Sequence, residues 1–314
     1  MRRHGRTAKG TMRWYCPQCR VSGIRSRPDT RRRHEQRRFT RWLTGKASLS
    51  ELAAIRHVTR QTLSQHFRLY FTRVALWQAP SSIRILILDG TYIHRRTLVA
   101  LIALNERGEA YWQFVPWETA ETWGSLLIRL PCPKVVVCDG QKGLLKKINA
   151  LWPETAIQRC HFHVAKLARR YLTTRPKTQA GQDIKALVHA LPRARTLHAA
   201  RGWRHAYEAW ERRYAALLAE RTHYDDGVRV RWWYTHRNLR GVRSLIHGAY
   251  PHLFTYLQIP GTPNTTNHLE GGVNAGIAEA LRLHRGLRLH QKKTLVSVLL
   301  AERNRTKKAT RKFT

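Results

Sequence analysis

The chain has 314 residues, enough for one large domain or two to three smaller ones, and 42% hydrophobic content with 11 Trp can fill a core. Lys and Arg number 58 against 19 Asp and Glu, a formal charge of +39 that argues against a disordered basic tail only in combination with that core, and predicts a polyanionic partner, nucleic acid before an anionic membrane surface. No stretch approaches the ~18 consecutive apolar residues of a membrane span, and the start MRRHGRTAKG lacks a signal peptide's apolar core, so a cytoplasmic, nucleoid-associated protein is expected.

Residues 1–38 read as a basic arm, densest at RRRHEQRR, with the tail end of a zinc ribbon. Cys16 and Cys19 in CPQC have half the spacing of such a ribbon, and His4 and His34 are the further donors in reach. Five cysteines with no disulfide-framework spacing predict reduced thiols. Residues 39–80 change to helical spacing, in which SLSELAAIRH and TRQTLSQHFRLYF form two helices capped by Ser48 or Ser50 and by Thr59. Arg56, Arg60, Gln61 and Arg68 flank that pair. It reads as a helix-turn-helix whose second helix enters the major groove, or as an ordinary helical hairpin.

Residues 81–176 carry five strand signals, at IRILILDG, RTLVALIALN, AYWQFVPW, KVVVCDG and TAIQRCHF. Helices fall at TAETWGSLLIRL, capped by Thr119, at GLLKKINALW, ended by Pro153, and at HVAKLARRYL. Strand, strand, strand, helix, strand, helix, strand, helix is the order of an α/β, ribonuclease H-like core, a mixed five-stranded sheet whose first and fourth strands are neighbours. Residues 177–262 read as an all-helical insertion with a turn at Asp225, Asp226 and Gly227. Residues 263–314 return to the core with a last helix, opened by Thr265 or Thr266, and end in a mobile basic tail.

In a chain this poor in acid, Asp89 and Asp139 at strand tips and Glu270 in TTNHLEGG require a reason. Hard divalent cations prefer oxygen ligands, so the three acids point to two Mg²⁺ or Mn²⁺ ions set against a phosphodiester. The competing reading for each aspartate is a turn, since Asp-Gly is a common turn pair. Gly271 and Gly272 each cost roughly 1 kcal/mol relative to Ala in a helix interior, which predicts close approach either of the sheet or of DNA. Cys160 and His163 in RCHFHV are half a zinc site, a pair packing beside the active site, or a chance of strand meeting helix. In RWWYTHRNLR, Trp232 and Trp233 either stack on unpaired bases while Arg237 and Arg240 hold phosphates, or pack in the insertion's core.

Several strings together resemble the Mutator-like DDE transposases of bacterial insertion sequences: LDGTY, VVCDGQKGL, WPETAIQRCHFHV, WWYTHRNLR, LFTYL, TTNHLEGGVNA and HRGL, in that order from about residue 10 onward. The resemblance implies a catalytic triad of Asp89, Asp139 and Glu270, a helical insertion at 177–262, and a C-x-x-H signature at Cys160 and His163. It also implies binding of double-stranded DNA at terminal inverted repeats through the N-terminal region, with His284 and Arg285 of HRGL among the DNA contacts. Two DNA ends must be paired, so a homodimer or larger assembly on DNA is expected. Relatives carry a further C-x-x-C pair ahead of CPQC; its absence here implies a start assigned too late or a degenerate ribbon, and leaves Zn²⁺ at Cys16 and Cys19 in doubt. Set against this function stand a catalytically silent DNA-binding regulator and a ribonuclease H-like nuclease or resolvase.

Overall fold

The computed structural model describes residues 1–24, 28–72, 74–94, 97–225, 227 and 229–310. Contacts divide the chain into two compact units, Met1–Ala75 with Ala280–Leu299, and Leu76–Glu279 with Leu300–Thr314.

The first unit opens with a three-stranded antiparallel sheet of β1 (Arg2–Arg6), β2 (Met12–Tyr15) and β3 (Ser22–Ile24). The basic cluster at 31–38 lies inside α1 (Pro28–Thr44), so the change to helix comes earlier than the expected residue 39. Arg, Gln and Glu are strong helix formers, and apolar periodicity alone misses a helix start built from them. Then come α2 (Leu49–Ile55) and α3 (Arg60–Arg68). Ser48 caps α2 in a capping box with Glu51, and Thr59 caps α3 through the Thr62 N–H. Phe39, Trp42, Leu43, Leu63, Phe67 and Phe71 close over these helices as an aromatic core with Leu295.

In the second unit a five-stranded mixed sheet has the order β6-β5-β4-β7-β8, from β4 (Ile85–His94), β5 (Leu98–Asn105), β6 (Ala110–Val115), β7 (Val135–Cys138) and β8 (Ala156–Arg159). β4 pairs antiparallel with β5 and parallel with β7, so the first and fourth strands of the sheet are neighbours as expected. The continuous apolar runs suit strands buried on both faces. Leu86, Leu88, Val99 and Leu101 pack under Trp123, Leu126 and Leu127 of α4 (Ala120–Leu127) and Leu144 and Ile148 of α5 (Lys142–Leu151). Each such side chain contributes about 1.5–3 kcal/mol on burial.

A second core joins α6 (His161–Leu172), α7 (Gln179–Ala190), α8 (Leu197–Arg213), α9 (Ala215–Ala219) and α10 (Arg237–Ala249). At its centre Trp203, Tyr207 and Trp210 stack in sequence, ring centroids 5.7 and 6.1 Å apart. The stretch 177–262 is not all-helical. An antiparallel hairpin of β9 (Arg221–Asp225) and β10 (Val230–Tyr234) interrupts it, because Trp232, Trp233 and Tyr234 favour a pleated surface. Asp226 of the expected turn lies outside the described residues.

A π-helical turn, His268–Asn274, runs into α11 (Ala275–Leu283), followed by α12 (Leu289–Thr310). The expected mobile tail is therefore helical as far as Thr310, and the remainder lies outside the described residues. Among the described residues no helix is long and apolar enough to cross a membrane.

Candidate active site

β7 leaves β4 after the Ile87 and Val137 pair, while β5 continues beside β4 to His94. Asp89 thus stands within β4, not at its tip, two residues beyond the last rung shared with β7. Asp139 directly follows β7. Parallel register brings both aspartates to the same end of neighbouring strands. Asp139 also forms the turn of the bland reading: its Oδ1 accepts the Gln141 N–H at 2.9 Å, and Gly140 has φ +80°. Arg159 donates from Nε to the Asp139 carbonyl at 3.1 Å, and a Cβ on Gly140 would sit 1.9 Å from the Arg159 guanidinium carbon. Only glycine serves there.

Asp89 Oδ2 accepts from Asn274 Nδ2 at 2.7 Å. Burial, and then the negative charges of Glu270, Asp139 and Glu118, push the Asp89 carboxyl up to about 7. The three expected acids therefore share one field, and a fourth joins them. Glu118 stands just before the Thr119 cap of α4; its Oε1 accepts from the Trp123 indole at 3.1 Å, and its carboxylate lies against Gly90. Burial raises its pKa, as does Asp139. The available signal for Glu118 is an acid between a strand end and a helix cap in an acid-poor chain.

Glu270 is held differently. The Thr266 hydroxyl donates to Glu270 Oε1 at 2.6 Å and lies 3.3 Å from Cys160 Sγ and 3.5 Å from His163 Nδ1. The Thr266 N–H donates to Cys160 Sγ at 3.2 Å, and His163 Nδ1 approaches Glu270 Oε1 at 3.3 Å. Cys160, His163 and Glu270 offer donor atoms within 4.8 Å of one another. The Thr266 hydroxyl reaches all three, so the trio is a hydrogen-bonded cluster around one hydroxyl. Gly271 and Gly272 face open space, so tight packing on the sheet does not account for them.

β8 ends at Arg159, and Cys160 caps α6, which turns His161 inward instead of extending the strand. Fully buried, His161 donates from Nε2 to the Leu253 carbonyl at 2.6 Å. Burial pulls its pKa down to about 4. Gln158 binds the same carbonyl at 3.0 Å and receives the Tyr256 N–H, so the LFTYL string is an anchor to β8.

The remaining expected residues are scattered. Arg60, Gln61 and Arg68 are exposed on α3, but Arg56 is paired with Glu35 at 3.0 Å. Half-buried His284 lies edge-on to Trp42, ring centroids 4.8 Å apart, beside exposed Arg285. Cys16 and Cys19 face each other across the β2–β3 turn, where the Cys19 N–H lowers the Cys16 pKa. Among the described residues no third His, Cys, Asp or Glu donor completes a group with them. Trp232 and Trp233 are outside the buried cores, and Arg240 stacks on Tyr234 at 3.4 Å while donating to the Leu218 carbonyl.

No curated protein matches the chain. Residues 112–244 match the family model described as transposase, Mutator family. That stretch runs from β6 into α10 and contains Glu118, Asp139, Cys160, His163 and the β9–β10 hairpin, while Asp89 and Glu270 lie on either side of it. Over that stretch the chain is similar to transposases of the Mutator family.

Proposed function

We propose that the chain is a DDE transposase with a ribonuclease H-like catalytic core, which cuts DNA at the terminal inverted repeats of its element and joins the freed 3′-hydroxyl to target DNA. The observation that carries this reading is the shared field of Asp89, Asp139, Glu270 and Glu118 in a chain of net charge +39. An Asp89 carboxyl raised by burial and by the charges of the other acids, with only the Asn274 amide opposing, suits a site for hard divalent cations, Mg²⁺ or Mn²⁺. Asp89, Asp139 and Glu270 would hold two such ions. When bound, they supply positive charge against the phosphate and a more acidic attacking hydroxyl.

The protein's own contribution is placement. Parallel register sets Asp89 and Asp139, the Asn274 amide orients Asp89, and Thr266 orients Glu270. Arg60, Gln61 and Arg68 on α3 are the contacts of a helix-turn-helix with duplex DNA, and two DNA ends require at least a dimer.

The test is Asp139→Asn, which keeps the oxygen that accepts the Gln141 N–H and removes the charge. With Mg²⁺, nicking of element-end duplexes should fall by about 10³-fold or more while gel-shift binding persists. A variant that still nicks the ends sinks the triad. A wild-type chain that nicks but never yields joined products is a nuclease instead.

A further inference from the structure

Side chains along a strand alternate in direction, so β10 sends its two adjacent tryptophans to opposite faces of the hairpin. Trp232 shares a face with Tyr234: the two rings meet edge-on at 5.4 Å, and the Arg221 guanidinium lies 4.2 Å from the Trp232 ring. Trp233 instead lines a cleft of about 720 Å³, formed by the end of α6, the connection 173–178, the start of α7 and the first turn of α10. Arg175, Lys177 and Arg237 stand exposed on its lining, and no Asp or Glu is among the lining residues. The Arg237 guanidinium is 5.6 Å from the Trp233 ring. His236, also on the wall, is engaged by Glu220 at 3.0 Å, which leaves the three longer cations to carry the charge.

A flat indole beside guanidinium groups offers a stacking face and phosphate contacts together. A duplex keeps its base faces in its own stack, so a base must be unpaired or extruded to use the indole. The volume falls in the range of ligand clefts, about 300–1,000 Å³.

We propose that this cleft binds an unpaired nucleotide of a DNA strand, with the base stacked on Trp233 and flanking phosphates held by Arg175 and Lys177. This rests on DNA being the substrate and adds a site remote in sequence from all four acids. The alternation rule assigns the contact to Trp233 and not to Trp232.

The experiment uses the full chain and a short single-stranded oligodeoxynucleotide carrying 2-aminopurine, whose fluorescence is quenched on stacking. Trp233→Leu should weaken binding roughly tenfold or more and abolish the quench, whereas Trp232→Leu should retain both. Arg175→Ala with Lys177→Ala, two exposed positions that leave the core intact, should reduce the salt slope of binding by about 1.4. Should Trp233→Leu fail to fold, as judged by its melting curve, that double variant decides. Wild-type affinity and quench in Trp233→Leu, an unchanged slope in the double variant, or an equal quench with RNA of the same sequence would each overturn the assignment. A chain that quenches the probe yet cannot cut duplex ends overturns the catalytic reading alone. One that cuts them while Trp233→Leu quenches normally overturns the cleft alone.

Discussion

The backbone positions of Asp89 and Asp139 are set by main-chain register, while the place of Glu270 rests on side chains. The two aspartates stand where parallel strands end their pairing, and their places follow from register, the Gly140 turn and the Arg159 contact with the Asp139 carbonyl. Glu270 sits on a π-helical turn and is oriented by Thr266, whose hydroxyl is shared with Cys160 and His163. Two ways of holding an acid should fail in two ways. Damage on the strand side costs folding, and damage on the helical side costs chemistry with the fold retained.

The largest effect is expected from Gly140→Ala, where a Cβ meets the Arg159 guanidinium at 1.9 Å on backbone at φ +80°. A left-handed non-glycine residue costs about 1–3 kcal/mol before any clash, so denaturant unfolding should show a loss of about 3 kcal/mol or more. A variant as stable as wild type would mean that the strand side does not depend on its turn.

Next comes a pH effect at the β8–α6 junction. His161 is buried neutral with its pKa lowered from 6.5 to about 4, so the unfolded chain binds its proton first. The stability that His161 contributes is fully present above pH 6.5 and is lost as pH drops toward 4, by up to about 1.4 kcal/mol per pH unit. The melting temperature of His161→Gln should therefore fall less toward acid over that window than that of wild type.

Thr266→Val removes the hydroxyl shared by Cys160, His163 and Glu270. Cleavage should drop about 10- to 100-fold, the scale for groups that orient ligands, with Thr266→Ser close to wild type and both melting normally. Equal losses of activity and stability in Thr266→Val would return the cluster to an ordinary packing role. Smallest is Glu118→Gln, which keeps an acceptor for the Trp123 indole. A rate loss below about tenfold, with a raised Mg²⁺ requirement, would place this fourth acid beside the triad and not within it.

The same division governs what is legible in the sequence. Buried parallel strands are continuous apolar runs, so the order of the sheet and the convergence of Asp89 and Asp139 can be read from the residues alone. Asp89 reads as a strand tip because Asp89-Gly90 has the look of a turn, and the continuation beside β5 carries only Tyr92 and Ile93 as apolar residues. The Thr266 cluster is not legible, since it joins residues 106 positions apart through one hydroxyl. Trp232, Trp233 and Tyr234 stand out in the sequence by their chemistry. Their β-forming tendency, with Asp225 and Gly227 between two polar-aromatic runs, is the subtler signal, and it marks the hairpin. The association of residues 280–299 with the N-terminal unit has no local signature at all.

The π-helical turn at His268–Asn274 also makes the glutamate sensitive to insertion and deletion in a way that substitution does not test. Such a turn accommodates one residue more than an α-helical turn, and each residue rotates a helix by about 100°. Loss of a single codon within this turn would let the segment relax to ordinary helix and still join α11. All downstream side chains would keep their faces, but Glu270 would be carried about a quarter-turn around the axis. Frame-preserving deletions here are therefore expected to give folded chains with a displaced Glu270, which under the proposed function would bind DNA without cutting it.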